Sequence, residues 1–182
     1  GGVVWGCAPT LCTILSDVDF SHKVVLELGS GTGAVGIWIA SAQPHATVIL
    51  SDLAETMPNL IANIAANNLE SQCIARELAF GEDLRTFHTG ALGNIDVIIA
   101  SDCPYSYLAK FEWQPFVATL ESALPGTQVY ISLQERHGAT KELLEPFFNA
   151  LSNLGSFIEL VYVPALHEEE YPLRCFYLCL DK

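Results

Sequence analysis

Two stretches of this 182-residue chain carry side chains whose types and spacing can do chemistry: Glu27-Leu28-Gly29-Ser30-Gly31-Thr32-Gly33, and Ser101-Asp102-Cys103-Pro104-Tyr105. In the first, three glycines in five positions let the backbone turn tightly and approach a ligand more closely than any Cβ would permit. Gly29, Gly31 and Ala34, with Asp52 about 20 residues on, also satisfy a dinucleotide pattern, so the glycines alone leave NAD open. Glu27 favours another ligand. It stands two places before the first glycine, where a dinucleotide site usually carries an apolar residue, and a carboxylate there suits a cation. S-adenosyl-L-methionine carries an ammonium and a sulfonium, so the turn reads as a cradle for it and for its product S-adenosyl-L-homocysteine.

The second stretch brings together a carboxylate, a stiffening proline and an aromatic ring. Those suit methyl transfer to an amine. A lysine must lose a proton first, and bringing an amine pKa of about 10.4 to neutrality corresponds to about 4 to 5 kcal/mol. An aromatic wall at Tyr105 desolvates the ammonium and Asp102 orients the amine, so these two are the catalytic candidates. A turn aspartate and a packed tyrosine are the competing description.

Four more residues join the cofactor-binding candidates Glu27, Gly29, Gly31, Gly33 and Ser101. Asp52, before Leu53, can accept hydrogen bonds from two ribose hydroxyls, although it can equally cap the following helix. Phe80 can lie against adenine or serve as a core aromatic, and Trp5 can cover the sulfonium with its ring face or pack inside. Trp38 and Trp113 lie on helices and are expected to be packing residues. None of the five histidines falls in these motifs, which argues against a histidine general base.

Positioning these residues takes an alternation of strands and helices. The apolar patterning predicts strands at 23–28, 46–51, 72–78, 94–101, 127–133, 156–163 and 174–180, with helices near 8–16, 34–43, 54–68, 111–123 and 139–151. The segment between the last two strands is too short for a crossover helix, so they should pair antiparallel. The expected fold is α/β: a Rossmann-like, seven-stranded, mainly parallel sheet with an antiparallel terminal strand and helices on both faces. That is the class I methyltransferase arrangement, with the whole of 1–182 as one domain. Every candidate but Trp5 then sits at or just beyond a strand's carboxyl end, where open parallel sheets bind ligands.

Composition narrows the partners. Eight Lys and Arg against 21 Asp and Glu give a formal charge of −13, which disfavours nucleic acid and favours a cationic partner such as a lysine-bearing protein segment. No apolar run approaches the roughly 18 residues of a membrane helix, and no charged signal-peptide start is present. A soluble, cytoplasmic, monomeric protein is expected. The six cysteines lack C-x-x-C spacing, so no metal is expected, and reduced thiols are the simplest reading.

In their order and spacing, Val4-Trp5, Val25 to Gly33, Ser51-Asp52-Leu53, Asn63 to Asn67 and Asp102 to Tyr105 resemble the family 16 seven-β-strand methyltransferases, largely protein-lysine methyltransferases. Gln134-Glu135-Arg136 and His167 to Tyr171 resemble the subgroup acting on valosin-containing protein. The resemblance implies cofactor contacts at Trp5, Glu27, Gly29, Gly31, Asp52 and Phe80, with Asp102 and Tyr105 at the methyl-transfer channel. It implies lysine N-methylation of a cytosolic protein such as a chaperone, AAA ATPase or translation factor. Phe80-Gly81 replaces the family's usual Trp-Gly, keeping the aromatic face and losing the indole donor. The family's N-terminal β-hairpin is not in these 182 residues. Two alternatives share the cofactor motifs: methylation of a small amine or another side chain, and a non-catalytic S-adenosylmethionine-binding module.

Overall fold

The computed structural model describes residues 2–87, 93–103, 111–135, 141–163 and 172–181. Its centre is a seven-stranded sheet formed by β1 (Val24–Leu28), β2 (Thr47–Asp52), β3 (Cys73–Glu77), β4 (Val97–Ser101), β5 (Gln128–Gln134), β6 (Gly155–Val163) and β7 (Leu173–Leu180). The spatial order is β3-β2-β1-β4-β5-β7-β6. β1 to β5 are joined in parallel, and β7 inserts antiparallel between β5 and β6. The expected antiparallel pairing of the last two strands is present. Only β7 runs against the rest.

β1 is buried at all five positions, because a central parallel strand is covered on both faces. Val25 with Val48, Leu50, Val97 and Ile99 packs on one side against α1 (Cys7–Leu15), α2 (Ala34–Ala42) and α3 (Met57–Ala66). Leu26 and Leu28 with Ile98, Ala100, Ile131 and Phe176 pack on the other against α4 (Trp113–Glu121) and α5 (Lys141–Ser152). Trp38 and Trp113 pack against these two cores as expected.

Two boundaries depart from the sequence expectation. The helix expected from residue 54 begins as a 3-10 turn, Ala54–Thr56, before α3. Pro58 has no N–H to complete an α-type bond back to Ala54, so the chain closes through Thr56 N to Leu53 O at 2.9 Å. The strand expected from 94 starts at Val97, with the preceding Asp96 carboxylate accepting the Val24 N–H at 2.8 Å.

Candidate active site

The glycine turn leaves β1 with Gly29, Gly31 and Gly33 at φ of +61°, +56° and +78°, the left-handed region that favours glycine. A Cβ on Gly29 would stand 2.7 Å from Cys103 Sγ and 3.2 Å from the Phe80 ring. The turn is tied down on every side. Ser30 N donates to Ser51 O at 2.9 Å, the hydroxyls of Ser30 and Ser51 donate to Glu27 O at 3.1 and 2.7 Å, and Asn63 Nδ2 on α3 donates to Thr32 O at 2.8 Å. Ser30, Ser51 and Asn63 gave the sequence reading no chemical signal, because their role is to hold main chain.

Asp52 ends β2 beside this turn. Its Oδ2 accepts the Gly31 N–H at 2.7 Å, while Oδ1 accepts the Leu53 N–H at 2.7 Å and the Thr56 hydroxyl at 3.3 Å. It both holds the chain entering the 3-10 turn and braces the glycine turn. Leu53 is exposed beside it.

Glu27 is only 2% exposed. Its Oε2 accepts the Gly36 N–H, in the first turn of α2, at 3.0 Å. Burial pushes its carboxyl up to about 8; the Gly36 N–H opposes that rise, the Asp52 charge adds to it and the Ser30 hydroxyl opposes it.

Phe80 follows β3 and meets Phe116 edge to face at 5.4 Å between centroids, while its rim lies at Gly29. The Gly81 N–H donates to Thr119 Oγ1 at 2.7 Å and Leu84 N–H to Ser122 Oγ at 2.8 Å, so α4 fixes this loop. Phe80 therefore borders both the glycine turn and the core.

At the end of β4, the hydroxyls of Ser101 and Ser132 share a hydrogen bond at 3.3 Å. Asp102 follows at φ +62°, a left-handed conformation that a short polar side chain tolerates better than most. It is 7% exposed, its N–H donates to Ser132 O at 2.7 Å, and its Oδ1 accepts the Gln134 N–H at 3.4 Å. Cys103 Sγ reaches back to Leu28 O at 3.4 Å. Burial, reinforced by the charges of Asp102, Asp52 and Glu27, pushes its thiol far upward, so it stays protonated and is no nucleophile. Tyr105 and the stretch His167 to Tyr171 lie outside the described residues. Trp5 is 52% exposed, which removes the core-tryptophan description; its carbonyl accepts the Ala8 N–H at the start of α1. The Ser132 hydroxyl donates to Cys7 O at 3.4 Å, bringing this N-terminal stretch to the ends of β4 and β5.

The structure thus gathers Glu27, Asp52, Phe80 and Asp102 around one turn at the carboxyl ends of β1 to β4. A family model described as lysine methyltransferase matches residues 1–153.

The chain belongs to the lysine methyltransferase family.

With that membership the chain is an S-adenosylmethionine-dependent N-methyltransferase. Among curated relatives, the protein-lysine N-methyltransferase EFM6 of Saccharomyces cerevisiae is 27% identical over 182 residues, spanning 88% of this chain and 72% of its own. The protein N-lysine methyltransferase METTL21A of Danio rerio is 32% identical over 148 residues, spanning 78% of this chain and 64% of its own. The EEF1A lysine methyltransferase 3 of Xenopus tropicalis is 28% identical over 155 residues, 80% of this chain and 65% of its own. The chain therefore spans about two thirds of the length of these relatives. Solved structures share the fold: a putative rRNA-methylase from Clostridium thermocellum superposes with a TM-score of 0.72 at 10% identity over 99% of both chains. The O-methyltransferase TomG from Streptomyces achromogenes, in complex with SAM, gives 0.67 at 14% identity over 98% of this chain and 82% of its own.

Proposed function

We propose that residues 1–182 form one methyltransferase domain that methylates the ε-amine of a lysine presented by a cytoplasmic protein, a translation factor or chaperone being the class most in keeping with its relatives. The supporting observation is the glycine turn braced by Asp52 at the ends of β1 and β2, in a chain of the lysine methyltransferase family. The turn fits the cofactor in shape and donor set. A Cβ at Gly29 would fill the space beside Phe80, and Asp52, after accepting three donors, keeps about one lone-pair site, on Oδ2, for a ribose hydroxyl.

Gly29, Gly31, Gly33, Asp52, Leu53, Phe80, Ser101 and Trp5 would hold S-adenosylmethionine. Bound there, it supplies an electrophilic methyl on a sulfonium, which a neutral amine takes by in-line displacement. Phe80 offers its face to the adenine and the Asp52 carboxylate reads the ribose. Asp102 stands at the end of β4, its backbone fixed by Ser132 and its Oδ1 by Gln134 N–H, so its carboxylate is preorganised to orient the lysine amine. An aromatic ring at Tyr105 would help exclude water from the amine and so lower the cost of holding it neutral.

The charge of −13 suits a basic protein segment and opposes a nucleic-acid substrate. Among the described residues no helix is long and apolar enough to cross a membrane, and a monomer acting in the cytoplasm is the working description. Isothermal titration tests the cofactor assignment: S-adenosylhomocysteine should bind and NADH should not. The reverse pattern would return the glycine turn to the dinucleotide reading.

A further inference from the structure

The side chain of Glu27 leaves β1 on the face covered by α1, α2 and α3, and it ends beneath the first turn of α2. An N–H in a helix's first turn has no partner within the helix. Here that of Gly36 finds one on another element, the Glu27 carboxyl oxygen 3.0 Å away. The approach depends on both residues. A Cβ on Gly36 would stand 2.7 Å from Glu27 Oε2 and 2.9 Å from Val48 Cγ1, so only glycine lets α2 settle this close to β1 and β2. The main-chain oxygen of the same glutamate receives the hydroxyls of Ser30 and Ser51. One residue thereby joins the end of β1, the glycine turn, the end of β2 and the start of α2.

We propose that Glu27 is a positioning residue, which sets the shape of the glycine turn by capping α2 at Gly36 rather than by pairing its charge with the cofactor's ammonium. The inference rests on the S-adenosylmethionine reading of this turn and changes the role that the residue type alone suggests. A carboxylate paired with a cation acts through charge. A cap acts through an acceptor oxygen, which a glutamine also possesses.

The experiment compares wild type, Glu27→Gln, Glu27→Ala and Gly36→Ala. S-adenosylhomocysteine affinity is measured by titration, and amide hydrogen exchange at Gly36 is measured in the cofactor-free protein. A cap predicts that Glu27→Gln binds within about threefold of wild type and keeps the Gly36 amide protected, since an uncharged acceptor still fills the site. Glu27→Ala should lose about tenfold or more in affinity and expose the Gly36 amide, because a buried donor then lacks its partner. Gly36→Ala should weaken binding comparably, breaking the same contact from the helix side. A Glu27→Gln variant that keeps Gly36 protected yet loses tenfold or more in affinity would overturn the proposal in favour of direct charge pairing. That comparison suffices if Glu27→Ala does not fold. Failure of wild type to bind S-adenosylhomocysteine would defeat the cofactor reading instead, and Gly36 exchange in Glu27→Gln would still judge the cap: an unprotected amide there overturns it.

Discussion

The buried carboxyl of Glu27 makes the stability of this fold depend on pH in a direction opposite to that of a salt-bridged acid. Its ordinary value is 4.5, and burial in the folded chain raises it to about 8. Below pH 4.5 both folded and unfolded chains hold the proton, and the residue contributes its full share. Between 4.5 and 8 the unfolded chain releases the proton while the folded chain keeps it, so unfolding gains and stability falls as pH rises. Above 8 both are ionised and the loss is complete. From 4.5 to about 8, at about 1.36 kcal/mol for each tenfold change in proton concentration, the loss comes to about 5 kcal/mol across the window. The groups facing this carboxyl from neighbouring elements are Asp52 on β2, Cys12 on α1, Cys73 on β3 and Cys103 after β4. Burial and the Glu27 charge push Cys12 and Cys73 each up to about 11, and Cys103 lies higher still, so no thiol titrates inside the window. The assay is urea unfolding of wild type and Glu27→Gln at pH 5, 7 and 9, read by far-UV circular dichroism. Taking the difference between the two proteins cancels the other carboxylates. The variant should match wild type at pH 5 and exceed it by about 4 to 5 kcal/mol at pH 9. A difference that stays constant from pH 5 to 9 would refute the reasoning.

Asp52→Ala should weaken S-adenosylhomocysteine binding by about 1 to 3 kcal/mol, through lost ribose hydrogen bonds and a loosened Gly31; unchanged affinity in titration reduces Asp52 to a cap. Phe80→Ala should lower cofactor affinity by a larger free energy than it lowers apo stability, although the lost edge contact with Phe116 takes a share of both; equal losses in calorimetry and titration would make Phe80 a core residue. Asp102→Asn should keep much of the cofactor affinity, because the amide can still accept from Gln134 N–H, yet cut turnover on a protein substrate by about 100-fold or more. Tyr105→Phe should be milder than Tyr105→Ala in the same assay if the ring rather than the hydroxyl matters.

The sheet was legible because its strands are nearly continuous runs of Val, Ile and Leu, such as Val24 to Leu28 and Val97 to Ala100, punctuated by glycine or proline. The glycine turn was legible because it recurs in a fixed strand-to-helix context. The direction of each carboxylate was not, since type and spacing say which residues stand at strand ends and not which main-chain N–H each will meet. Glu27 looked like a ligand for a cation, and its Oε2 accepts the N–H of Gly36, a partner nine residues on whose importance lies in its missing Cβ. Asp52 offered a choice between cap and ligand, and its bonds to the N–H groups of Gly31 and Leu53 and to the Thr56 hydroxyl leave acceptor capacity on Oδ2. The parts played by Thr119, Ser122 and Asn63 depend on contacts 31 to 38 residues distant in sequence, which no local pattern encodes.

The central claim is that this chain places methyl groups on protein lysine. Wild type and Asp102→Asn are incubated with methyl-labelled S-adenosylmethionine and a host-cell lysate, and labelled protein is hydrolysed to its amino acids. The account predicts a discrete labelled protein band whose label is recovered as methyl-lysine, strong with wild type and about 100-fold weaker with Asp102→Asn. Label recovered on nucleic acid, on small amines or on another side chain, with none on lysine, would contradict it.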